Sequence, residues 1–154
     1  MRPLIVCLLL LVLAVTSAIA QTVPAEVDQR IRQIYAQKYP DNFSMQKTLI
    51  EDQFESYRYI EHWESESGIP EDLFDKVKET YAKKYPDNYS MQKILIEDQC
   101  ESYRFLGTYT NVPGVPENVL ENLKEKYSQK YPYNFTMQKT LVQGQVKSYL
   151  ELQR

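Results

Sequence analysis

The decapeptide KYPDNFSMQK at residues 38–47 returns as KYPDNYSMQK at 84–93 and as KYPYNFTMQK at 130–139. Each copy lies 46 residues after the last, and the register holds without a gap: Pro24, Pro70 and Pro116 align, as do Tyr35, Tyr81 and Tyr127. Self-similarity at such a period marks a supersecondary unit that cannot bury its apolar face alone and stacks on its own copies. Three units are expected, at residues 24–62, 70–108 and 116–154.

Each unit reads as two antiparallel helices. The first opens at Val23-Pro24, Ile69-Pro70 or Val115-Pro116, with the proline in the first turn and Glu26, Glu71 or Glu117 near the positive helix end. Apolar residues then recur every four positions, at Val27, Ile31 and Tyr35, at Leu73, Val77 and Tyr81, and at Val119, Leu123 and Tyr127. That is the stripe of an amphipathic helix. It should end near Tyr39, Tyr85 and Tyr131, because a residue before proline avoids helical geometry. Ser44, Ser90 and Thr136 are the expected N-caps of the second helix.

The second helix carries a broader stripe: Leu49, Ile50, Phe54, Tyr57 and Ile60 in the first unit, with Leu95, Ile96, Cys100, Tyr103 and Leu106, then Leu141, Val142, Val146, Tyr149 and Leu152, as counterparts. A stripe that wide has to pack on more than its own partner, so the hairpins should pack on one another. The expected fold is all-α, about six helices in a solenoid-like stack or a bundle. The decapeptide is then the corner of each hairpin, and 61–69 and 107–115, rich in Gly, Ser, Asn and Pro, are the linkers. Gly144 replaces Asp52 and Asp98 inside the last helix, where glycine costs about 1 kcal/mol relative to alanine. With Gln143 for Glu51 and Leu150 for Arg58, it marks the third unit as atypical.

The core Tyr-Pro-Asp-Asn-Phe/Tyr-Ser-Met-Gln, followed by Ile-Glu-Asp-Gln and Ser-Tyr, resembles a tandem helical-hairpin module of uncharacterised bacterial and secreted proteins. The resemblance covers nearly all of the chain after residue 20 and implies no activity. The period also overlaps that of HEAT-type helical repeats, an analogy of architecture alone.

Arg2, the apolar run 4–15 and the small residues Ala18 and Ala20 read as a secretory signal peptide, residues 1–20, cleaved before Gln21. About a dozen apolar residues are too few for a bilayer span of roughly 20. Without Arg2 the chain carries 17 basic and 21 acidic residues, a net −4. Residues 21–115 hold 11 basic and 17 acidic groups and 116–154 hold 6 and 4, so the charge runs from −6 to +2, a gradient suited to head-to-tail contact. No basic run suggests nucleic acid, and no later segment suggests a membrane span.

Candidate site residues fall in repeated sets. Asn42, Asn88 and Asn134 each open an Asn-x-Ser/Thr sequon, a possible N-glycosylation site in a secreted protein. Gln53, Gln99 and Gln145 sit within the second-helix stripe and read as repeated buried amides, each needing a partner to fix helix register. The tyrosines should fill the hairpin cores with their hydroxyls at the rim. Cys7 departs with the leader, leaving Cys100 at the position of Phe54 and Val146, where a buried free thiol is expected rather than an intermolecular disulfide.

Catalytic and metal sites are not expected, and neither is a cofactor. His62 is the only histidine, no Gly-rich phosphate loop or Cys/His cluster occurs, and the corner lacks the length and glycine of a calcium loop. Glu51/Asp52 and Glu97/Asp98 read as a solvated face, with Lys47–Glu51 and Lys93–Glu97 as i,i+4 ion pairs. The chain is expected to be an extracellular, non-catalytic interaction or structural module that binds a protein or another extended partner. The rival readings are a small secreted hydrolase or toxin using surface carboxylates, and a carrier of an apolar ligand held between hairpins.

Overall fold

A computed structural model of the 154-residue chain describes residues 22–63 and 68–154. The leader expected over 1–20 lies outside the described residues, which form an all-α protein of six helices: α1 (Ala25–Lys38), α2 (Phe43–His62), α3 (Glu71–Lys84), α4 (Tyr89–Thr108), α5 (Glu117–Lys130) and α6 (Phe135–Leu152). Each odd-numbered helix packs on the even-numbered helix that follows it, and α2 packs on α4 and α4 on α6. The second helices therefore form a continuous row, each flanked by its own first helix. The broad stripe of the even-numbered helices serves both contacts.

The corner is built the same way three times. Tyr39, Tyr85 and Tyr131 close the first helices by donating their N–H groups to the carbonyls of Tyr35, Tyr81 and Tyr127. The chain then passes through left-handed backbone at Asp41, Asp87 and Tyr133, with φ of 63°, 58° and 62°. Gln46, Gln92 and Gln138 reach back from the second helix and donate to the carbonyls of Tyr39, Tyr85 and Tyr131 at 2.7, 2.8 and 2.7 Å. A side-chain amide thus joins the backbone N–H of Asn42, Asn88 or Asn134, each at 3.2 Å, on a carbonyl that the ending helix leaves unpaired.

Several local expectations are corrected. The caps of α2, α4 and α6 are Asn42, Asn88 and Asn134, whose Oδ1 atoms accept the N–H of Met45, Met91 and Met137 at 3.1, 3.2 and 3.1 Å. Ser44, Ser90 and Thr136 lie inside the first turn. Pro24, Pro70 and Pro116 occupy the cap position of α1, α3 and α5, one residue ahead of the helix. Gly107 belongs to α4 and not to a linker, and Glu61 belongs to α2.

The central core joins all three units: Ile60 from the first, Phe74, Val77, Ile96 and Cys100 from the second, and Phe135 from the third. Phe74, Val77 and Cys100 are fully buried. Burying a side chain of Phe, Ile or Val contributes roughly 1.5–3 kcal/mol. Smaller clusters around Ile31 and Val142 close the outer hairpins.

Candidate functional site

Two joints hold the units together, and both use the residues that the corner does not need for capping. At the first joint, Gln53 of α2 accepts the Tyr89 N–H at 2.6 Å and donates to the Ser90 hydroxyl at 2.7 Å. Ser90 in turn donates to Asp52. At the second joint, Gln99 accepts the Thr136 N–H at 3.3 Å and donates to the Thr136 hydroxyl at 2.9 Å, while that hydroxyl donates to Asp98 at 2.8 Å. The first N–H groups of α4 and α6 have no partner within their own helices, so the preceding unit supplies one.

Gln53 and Gln99 are 3 % and 2 % exposed, but Gln145 is exposed on α6. The expectation of three buried amides is corrected for Gln145, because among the described residues no corner meets it. Lys93 makes no ion pair with Glu97; its Nζ lies 4.3 Å from the centre of the Tyr59 ring across the first joint, and Lys139 lies 5.1 Å from that of Phe105 across the second. Lys47, at the same position of the first unit, pairs with Glu51 at 3.8 Å. Asp52 and Asp98 are hydrogen-bonded parts of the joints.

The joints differ on the side of the odd-numbered helices. The first is spanned by two ion pairs, Arg30–Asp87 at 3.0 Å and Lys78–Glu61 at 3.2 Å. At the second, Tyr133 stands where Asp87 does and Gly107 where Glu61 does, and Lys124, the counterpart of Lys78, turns to Glu121 at 3.0 Å. A groove of about 790 Å³ opens there, walled by Leu73, Tyr103, Leu106, Tyr133 and Phe135, with Arg104 as the one charged group of its lining among the described residues. Its size falls within the range of small-molecule sites, roughly 300–1,000 Å³, and its walls are mostly apolar.

Two backbone features mark the groove. Tyr133 holds a φ of 62°, a left-handed conformation that Asp and Asn tolerate far better than a bulky ring. The same turn occurs at Asp41 and Asp87, so the corner imposes it and only the residue type is particular to the groove. Gly68, at φ 69°, would bring a Cβ within 3.2 Å of the Arg104 side chain, so its lack of one leaves room for that chain to lie across the groove edge. Gly107 has open space around it, which is the space a glutamate fills at the first joint.

Of the residues singled out in the sequence, Asn42, Asn88 and Asn134 are exposed caps whose amide nitrogens, the atoms an N-glycan takes, stay outside the cap bond. Cys100 is free and fully buried, and burial pushes its thiol from 9.0 up to about 12. Burial likewise raises the Tyr81 and Tyr89 hydroxyls above their ordinary value. No group of three or more potential metal ligands occurs among the described residues, nor any helix long and apolar enough to cross a membrane. Sequence reasoning missed the groove. Its signal was available in the departures of Tyr133 and Gly107 from their counterparts, not in the repeated residues. Compared with known proteins, the chain matches no family model, no curated protein and no solved structure at a significant level.

Proposed function

We propose that the chain is an extracellular, non-catalytic binding module whose groove between the second and third units holds an apolar ligand bearing an acidic group. The groove itself carries this reading: an apolar trough with Arg104 at its edge is present at the second joint, where the first has ion pairs. A carboxylate on the ligand would meet the guanidinium while the apolar body fills the walls, the usual division of labour in such sites. The leader-like residues 1–20 and the exposed sequon asparagines support an extracellular setting. The engagement of Asp52 and Asp98 in the joints weighs against a hydrolase built on those acids.

The test converts the second joint into the first. Titration with a fluorescent fatty acid should give saturable binding, and the double variant Gly107→Glu with Tyr133→Asp should weaken it at least tenfold. The same variant should keep its helical circular dichroism, since Gly107 stands in the last turn of α4 with open space around it and aspartate holds the equivalent of Tyr133 at the other two corners. Saturable binding that survives the double substitution would place the ligand elsewhere. Purified protein that turns over an ester, peptide or glycoside, and loses this on Glu97→Gln, would replace the binding reading with the enzyme.

A further inference from the structure

We infer that the protein associates head to tail with further copies of itself, the corner of the first unit docking on the α6 face of the next copy. The argument is independent of the groove. Each internal joint places the same positions opposite each other, and both halves of that joint stand uncovered at the two ends of the described stack. Phe43 is 74 % exposed, whereas its counterpart Phe135 is 7 % exposed and packs edge-on against Tyr103 at 5.0 Å. Leu152 is 84 % exposed, whereas its counterpart Ile60 is 4 % exposed. These two are the most exposed large apolar side chains among the described residues, and they lie at opposite ends of the row.

The polar half of the joint is also present. The α6 face retains Gln145 and Ser148, exposed counterparts of the buried Gln99 and Ser102, and it retains Tyr149 in place of Tyr103. The first corner retains Ser44 in place of Thr136. A chain laid on α6 in the internal register would set Phe43 against Tyr149, and the Phe43 and Ser44 N–H groups against the Gln145 amide. It would also set Lys47, whose counterparts lie over Tyr59 and Phe105, against Glu151. The pairing is thus of opposite charge at the one position where the ring is replaced. The first unit carries 5 basic and 7 acidic residues and the third 6 and 4, so the docking ends are −2 and +2 overall. A contact between two different surfaces of the same chain does not close on itself at two copies, and it grows into rings or filaments.

Sedimentation velocity on the chain from Gln21 onward, which holds all six helices, should show species that grow past the dimer as concentration rises. Phe43→Asp, at the head, and Leu152→Asp, at the tail, should each lower the association about 30-fold or more, as removal of a central apolar anchor does. Both sites are exposed, so the helical circular dichroism should stay unchanged. An equimolar mixture of the two variants keeps one intact head and one intact tail, and it should form a 1:1 dimer that grows no further. Lys47→Glu should weaken assembly about threefold, and adding Glu151→Lys in the same chain should restore it. A parent protein that stays monomeric at every concentration would overturn the inference and leave the ends to a different partner. Assembly that survives both blocking variants, or a mixture that stays monomeric, would place the contact on another surface.

Discussion

The two joints share a plan and differ in how they are finished. At the first, Arg30–Asp87 and Lys78–Glu61 bridge units one and two, and Tyr89 rests edge-on against Tyr57 at 5.1 Å, only partly buried. At the second, Phe135 is almost fully buried in the central core, and no ion pair bridges the units among the described residues. The second joint is thus tighter at its apolar floor and open along its outer edge. Exposed or half-exposed ion pairs contribute little to stability, roughly 0–1 kcal/mol each. Their absence at the second joint is a small penalty and leaves a concave surface there while the first joint stays bridged.

Substitutions at equivalent positions test this difference most directly. Phe135→Ala should destabilise the fold by about 3–5 kcal/mol, because it empties a buried ring from the core that links all three units. Tyr89→Ala should cost less, since its ring is only partly buried. Equal losses in chemical denaturation would mean that the two joints carry the same apolar load. Smaller effects are expected from the amides: Gln99→Ala should cost about 1–3 kcal/mol by stranding buried hydrogen-bond partners, whereas Gln145→Ala should stay within about 0.5 kcal/mol. A parallel cost at Gln145 in dilute protein would show that its exposure is misplaced.

Cys100 offers the finest probe because it sits in the core shared by both joints. Its folded thiol titrates near 12, above the ordinary 9.0, so the neutral thiol favours the fold. That contribution is complete below pH 9 and declines as pH rises toward 12, by about 1.4 kcal/mol for each pH unit in that window. Cys100→Val, the residue found at Val146, should remove this part of the alkaline loss and leave only that of the tyrosines. Identical stability profiles for parent and variant between pH 9 and 11 would show that the thiol is not held neutral by the fold.

The sequence made the helices and corners legible because periodicity, proline and cap residues act locally. Asn42 and Ser44 are both good cap residues, and the sequence pattern does not decide between them. The backbone of the corner decides: the left-handed residue at Asp41, Asp87 and Tyr133 sets the next one, the asparagine, just ahead of the helix, and Asn42 caps even though no earlier unit among the described residues takes up Ser44. The three glutamines look alike in a repeat, but burial depends on a corner packing against them, and among the described residues none meets Gln145. Spacing alone points Lys93 to Glu97 four residues on, whereas the ring that claims it, Tyr59, lies 34 residues back in another unit. The groove was invisible for a similar reason: Gly107 and Tyr133 are far apart in sequence and meet only when the hairpins pack.

Each corner is closed by its own Gln-to-Tyr carbonyl bond, and the first corner has it as well, with no earlier unit against it among the described residues. The hairpin angle is therefore set within a unit, and the rule for adding another is written at both of its ends. Inserting one more 46-residue copy between two existing ones would create one new joint and leave no polar group without a counterpart. Duplication inside the coding sequence is then a mild event for this architecture, and the number of units is the property most free to drift between descendants.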